Sequence, residues 1–197
     1  MKRILVVGSA GQIGAELTPA LRKIYGENNV VASDINSNCN PVLKQGPFEV
    51  LDALDDKQLH AIVQTHKIDT IFNLVALLSA KGEKDPQLSI KVNLGALNNI
   101  LEVARQEHCA VFTPSSIGAF GPGTPADNTP QDTIQRPNTI YGVTKVAGEL
   151  LCDYYFKRFG VDTRGLRFPG IISNVQLPGG GTTDYAVEIY YEAIKHK

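Results

Sequence analysis

The stretch "RILVVGSAGQIGAEL" at residues 3–17 constrains the fold more than any other part of the chain. A strand-length apolar run ends on Gly8, and Gly11 and Gly14 follow at intervals of three. Ile13, Leu17, Leu21 and Ile24 then recur three and four residues apart, which predicts a helix over 12–25. Strand, tight turn and helix in this order bring the free N–H groups of a helix N-terminus to the end of a buried strand. There they attract an anion. Gly8 permits the sharp exit from the strand, Gly11 lets backbone approach a pyrophosphate with no Cβ between, and Gly14 lets helix pack closely on sheet.

The same alternation continues along the chain. Strand-like runs occur at 3–8, 30–35, 47–53, 68–76, 110–116 and 161–168. Helical spacing occurs at 12–25, 87–108, 139–159 and 183–195. Strands that alternate with helices predict an α/β fold, a doubly wound parallel sheet of the Rossmann type. Pro19 falls inside the first helix and should kink it locally. Residues 1–168 read as a nucleotide-binding domain, and 169–197 as the start of a substrate-binding lobe that looks incomplete. In that lobe "LPGGGTTD" reads as a loop.

Charge and composition exclude several classes. With 19 basic and 20 acidic residues the net charge is −1, so no basic excess points to nucleic acid. The apolar runs are strand-sized, so no membrane partner is expected. The apolar run in "MKRILVVGSAG" is too short for a signal peptide. Cys39, Cys109 and Cys152 are isolated, which fits a reducing, cytoplasmic setting. His60, His66, His108 and His196 show no ligand spacing; they read as surface residues, and no metal is expected.

Asp34 closes the second strand, 20 residues past Gly14. A carboxylate there can accept both hydroxyls of an adenosine ribose and repels a 2′-phosphate, which favours NAD over NADP. The competing reading is a structural glycine turn with a surface aspartate. Tyr141 and Lys145, in "TIYGVTKVAGELL", stand four apart on one helix face. An ammonium beside the phenol, together with a cationic nicotinamide ring, should lower the tyrosine from its ordinary value near 10 towards neutrality. A phenolate can then take a hydroxyl proton while hydride leaves the carbon. Ser115 and Ser116, at the C-terminal end of the fifth strand, supply a hydroxyl to hold the substrate oxygen. An ordinary amphipathic helix with a half-buried tyrosine is the alternative.

The glycine loop, Asp34, the serine pair and Tyr141-x-x-x-Lys145, in this order, resemble the extended short-chain dehydrogenase/reductase family, the NAD-dependent epimerases and dehydratases. Over "PSSIGAFGPGTPADNTPQDTIQRPNTIYGVTK" and "RFPGIISNVQLPGGGTTDYAV" the chain is most similar to the short-chain type of L-threonine 3-dehydrogenase. The resemblance implies NAD-dependent oxidation of the C3 hydroxyl of L-threonine to 2-amino-3-oxobutyrate. The rivals are a sugar-nucleotide epimerase or dehydratase on the same scaffold, and a non-catalytic NAD-binding protein. Family members continue well past residue 197.

The resemblance also implies residue roles. It assigns Tyr141, Lys145 and Ser116 to catalysis, with Ser115 close enough to share the serine's part. Gln12 and Ile13 would offer amides to the phosphates, and Ile35 would follow Asp34 at the ribose. Asp52 and Ala53 would lie beside adenine. Leu74, Ala76 and Leu78 would line the cleft with Pro114. Asn93 would brace that region, although a plain helix asparagine fits as well. Pro169 to Ile171 would meet the nicotinamide amide. Ser79, Thr182 and Thr183 would take the amino-acid head group, unless "GGGTTD" is only a flexible turn. Asp184 would answer the ammonium or cap the helix that follows. Apolar side chains around "LLCDYYFKRF" (150–159) point to a homodimer, which with the helix at 87–108 would form an intersubunit four-helix bundle, as in related family members.

Overall fold

A computed structural model describes residues 3–173, 175, 179, 181 and 184–196. The elements run β1 (Ile4–Val7), α1 (Gln12–Tyr25), β2 (Val30–Asp34), β3 (Phe48–Val50), α2 (Asp56–His66), β4 (Thr70–Asn73), α3 (Ser79–Lys84), α4 (Pro86–Glu107), β5 (Ala110–Phe112), β6 (Ser115–Ser116), α5 (Ile140–Phe159), β7 (Thr163–Arg164), β8 (Arg167–Phe168) and α6 (Tyr185–Lys195). The main sheet has the order β3-β2-β1-β4-β5-β7, and its pairings are all parallel. β6 and β8 form a separate parallel pair. The strand order reverses between β1 and β4, so the crevice beyond their C-terminal ends is where such a sheet binds ligands.

The pleat of β1 explains how both faces are filled. Leu5 and Val7 join one core with Leu59, Ile71, Leu97, Ile100, Leu101, Val111 and Tyr155, beneath α2, α4 and α5. Ile4 and Val6 point the other way, to Leu21 of α1 and Val30. Successive side chains of a strand alternate between faces, so a strand covered on both sides must be apolar throughout. Every residue of β1 is at most 1% exposed.

Arg22 joins α1 to the segment after β2. It is 5% exposed, and its guanidinium donates to the carbonyls of Val30, Val42, Leu43 and Pro47. Burial lowers its pKa, with Glu27 opposing. Four carbonyl acceptors make the buried charge tolerable and fix the loop that follows Asp34.

Several boundaries differ from expectation. The helices α2 and α3 have no counterpart in the sequence reading, although Leu59, Ile62 and Val63 carry the spacing and Asp55 caps the first turn of α2 through Gln58 N–H. The run at 110–116 divides into β5 and β6, and 161–168 divides into β7 and β8. Gly165 marks the second break, where a Cβ would come within 2.7 Å of the Thr113 carbonyl. By contrast, α1 has the expected bounds, 12–25, with Pro19 inside it. His60 and His66 are half-buried and pair with Glu107 and Glu49 at 2.6 and 2.7 Å, so they are not free surface residues. Among the described residues no helix is long and apolar enough to cross a membrane, and no cluster could hold a metal.

Candidate active site

A cleft of about 580 Å³ opens beyond β1, β4 and β6. Its floor is the glycine loop. Gly8 has φ +85°, and a Cβ there would lie 3.0 Å from the Leu74 carbonyl carbon. At Gly14 a Cβ would sit 2.5 Å from Ser9 Cα and 2.6 Å from the Gly8 carbonyl, so the helix reaches the strand end only without a side chain. Gly11 is the N-cap of α1, and no side chain caps that helix. The Nε2 amide of Gln12 is buried and has no hydrogen-bond partner. Uncapped first-turn amides and an orphaned buried donor fit the pyrophosphate of a dinucleotide.

Asp34 is held at the edge of this loop. Its carboxylate accepts from Ala10 N–H at 2.9 Å and from Asn36 N–H at 3.0 Å. Each oxygen keeps a lone pair for a hydroxyl. Ile35 beside it is 68% exposed. Asp52 is exposed and accepts from Leu54 N–H, whereas Ala53 is buried with its carbonyl bound to Asn99. These four residues lie at or just past the C-terminal ends of β2 and β3 and do not line the cleft itself. Leu74, Ala76, Leu78, Ser79, Pro114, Pro169 and Ile171 do line it.

Asn93 is a brace. It is 8% exposed, accepts from Leu77 N–H at 2.7 Å and donates to the Leu77 carbonyl and to Thr144 Oγ1 at 3.0 Å. It thereby ties α4 to the loop after β4 and to α5.

Tyr141 lies in the first turn of α5, which Thr139 caps through Gly142 N–H. The Ser116 hydroxyl stands near enough to the phenol to favour its ionised form. Lys145, one turn on, donates to the Pro114 carbonyl at 2.8 Å and stands 5.4 Å from the Tyr141 ring centroid. Ser116 and Ser115 have different surroundings. Register sets Ser115 opposite Arg167 and Ser116 opposite Phe168. Ser115 therefore turns away from the phenol and donates to the Glu149 carboxylate, while Ser116 faces Tyr141.

The expected lowering of Tyr141 is not produced by the protein's own groups. Burial pushes the phenol above its ordinary value, and only the Ser116 hydrogen bond opposes this. Desolvation likewise lowers Lys145 to about 8, with Glu149 opposing. Both shifts disfavour the charged forms, as an enclosed site does.

Thr182 and Thr183 lie outside the described residues. Asp184 is 6% exposed, lines the cleft and accepts from Gly181 N–H at 2.6 Å. Its side chain does not cap α6. Two residues at or behind the cleft have no counterpart among the residues expected from the sequence. Gly118 packs on Tyr141, where a Cβ would come within 3.3 Å of the ring. Glu149 stands behind Lys145, and the four-residue recurrence of Tyr141, Lys145 and Glu149 was the signal for it.

Parallel sheet, glycine loop, strand-end aspartate and Ser–Tyr–Lys group together define a dinucleotide-binding protein of the short-chain dehydrogenase/reductase type. The chain belongs to the NAD dependent epimerase/dehydratase family, which matches residues 4–187. NAD is the cofactor of that family. An uncharacterized epimerase/dehydratase of Staphylococcus saprophyticus is 56% identical over 196 residues, 99% of this chain and 61% of the relative. The X-ray structure of L-threonine dehydrogenase from Clostridium difficile is 57% identical, with a TM-score of 0.94 over 100% of this chain and 62% of that one. A GalE-like L-threonine dehydrogenase from Cupriavidus necator, in its holo form, is 47% identical with a TM-score of 0.93, over 99% of this chain and 63% of that one. The chain thus spans a little over three fifths of the length of these relatives.

Proposed function

We propose that the protein oxidises the C3 hydroxyl of L-threonine to 2-amino-3-oxobutyrate with NAD. The observation that carries the reading is the Ser116–Tyr141–Lys145 group at one end of a cleft whose other end is the glycine loop. Bound NAD would accept the hydride from C3. Ser116 holds the substrate hydroxyl against Tyr141, and the Tyr141 oxygen takes its proton. Hydride and proton together remove two electrons and two hydrogens, leaving the ketone. In the protein alone Tyr141 is a poor base, because burial keeps it protonated. A cationic nicotinamide ring beside the phenol would offset that burial, so the phenol would become a base only in the assembled complex. Uncapped amides of Gln12 and Ile13 would hold the pyrophosphate, and Asp34 the ribose.

The identity of 57% to an L-threonine dehydrogenase supports the substrate. Residues 169–197 would begin the lobe that binds it, and the remainder would come from chain beyond. The setting would be cytoplasmic. A homodimer would cover apolar side chains that α5 carries on more than one face, Leu150 and Tyr154 on one and Phe156 on another, each more than half exposed. Light scattering of the full-length protein should return a dimer mass; a monomer mass at micromolar concentration rejects it.

The deciding experiment is NADH formation by full-length protein on L-threonine, L-serine, 2-hydroxy acids and UDP-sugars. L-Threonine should be preferred. Turnover of a UDP-sugar with none of L-threonine overturns the substrate and leaves the fold untouched.

A further inference from the structure

Behind Lys145 lies a second cavity of about 500 Å³, which shares Pro114, Ser115 and Lys145 with the cleft. Glu149 lines it. This carboxylate accepts from donors on three separate segments: Ser115 Oγ of β6, the Nε and Nη2 of Arg167 of β8 at 3.0 and 2.8 Å, and Nε2 of Gln135 at 3.1 Å. Arg167 also donates to the Gln131 carbonyl and lies 5.4 Å over the Phe120 ring. Glu149 is one turn beyond Lys145 on α5, so the two side chains share a face.

We infer that Glu149 is a positioning residue of the candidate active site: it supplies the counter-charge for Lys145 and locks α5 to the strand end that carries Ser115 and Ser116. The inference rests on the reading of Lys145 given above. The forked contact with Arg167 fixes the carboxylate in direction as well as distance. Ser115 holds the same carboxylate, so the adjacent Ser116 is set against Tyr141 by the pleat. One residue thus aligns the helix that bears Tyr141 and Lys145 with the strand that bears the hydroxyl.

Electrostatics agree with this geometry. Burial pushes the Glu149 carboxyl up, but Arg167, Ser115 and Gln135 more than offset it and leave it below its ordinary value. It therefore stays ionised beside the enclosed ammonium. The other charged or titratable groups on the Glu149 side of Lys145 are Asp132, Cys152 and Asp153 of α5, Arg164 of β7 and Arg167 of β8, and burial pushes the Cys152 thiol up to about 11, so it stays neutral. On the cleft side they are Lys81 of α3, Tyr141 and Asp184. Of all these, Glu149 is the group whose charge acts on Lys145.

The test is the ionisation of Lys145 in the full-length protein, followed by its ¹³Cε resonance and assigned by the loss of that resonance in Lys145→Arg. The midpoint should lie near about 8 in the parent. Glu149→Gln should lower it by about one pH unit or more, because an opposite charge is withdrawn. Arg167→Met should raise it, because Glu149 then faces Lys145 with less of its charge neutralised. A contact that only stabilised the fold would weaken both variants without moving the two midpoints in opposite directions. Midpoints that stay put, or that move the same way, overturn the inference. If Glu149→Gln does not fold, Arg167→Met decides: a raised midpoint supports the inference and an unchanged or lowered one overturns it. The measurement uses no turnover, so a protein that ignores L-threonine still answers it.

Discussion

The two ends of the cleft are built differently. At the nucleotide end, β1 is buried on both faces and Gly8, Gly11 and Gly14 are fixed by strand and helix within one short stretch. At the substrate end, α6 has no buried residue, and Tyr185, Tyr190 and Ile194 are each at least 70% exposed. The glycine loop is a local feature, because strand end, turn and helix start lie within residues 8–14. The substrate end is assembled from distant segments, and the relatives run well beyond the length spanned here. Under the proposed function, cofactor choice would be a local property of this chain, and substrate choice would not.

That contrast breaks most sharply at Tyr141. Tyr141→Phe should reduce turnover about 10²- to 10⁴-fold, since a general base is lost. NAD affinity, measured by titration, should stay within error, because the glycine loop is untouched. Near-normal turnover would remove Tyr141 from the chemistry. A smaller effect is expected at Asp34. NAD should bind more tightly than NADP by several kcal/mol, the cost of setting a carboxylate against a 2′-phosphate. Asp34→Ser should narrow that gap without changing the preference among substrates; equal affinities in the parent would refute the ribose assignment.

Gly14→Ala sharpens the comparison from the structural side. Its Cβ meets backbone at 2.5 Å, so the helix must retreat from the strand end. Thermal unfolding should show a loss of about 1–3 kcal/mol, the usual size for overpacking. NAD affinity should fall with it, because the α1 amides move. The smallest effect belongs to Thr182, which the resemblance assigns to the amino-acid head group. Thr182→Ala should raise the KM for L-threonine by the loss of one hydrogen bond, about 0.5–1.5 kcal/mol, with NAD affinity unchanged. A parallel loss of both affinities would place Thr182 at the nucleotide end instead.

The sequence by itself determined the elements whose signals are local. Helical spacing placed α1, α4 and α5 nearly to the residue, because a period of 3.6 is set by neighbours along the chain. The same periodicity put Tyr141 and Lys145 on one face, and the strand-to-helix order placed the glycine loop at the head of the sheet. Only the tertiary structure decided which serine meets the phenol. The resemblance favoured Ser116 without excluding Ser115; pairing with β8 turns Ser115 to Glu149, 34 residues away, and Ser116 to Tyr141. It also decided that Asn93 braces α5 through Thr144, 51 residues on. The direction of the Tyr141 shift was hidden for the same reason. Spacing shows which charge stands beside a phenol, but desolvation depends on how much of the whole chain packs around it, and here burial outweighs the help of Ser116.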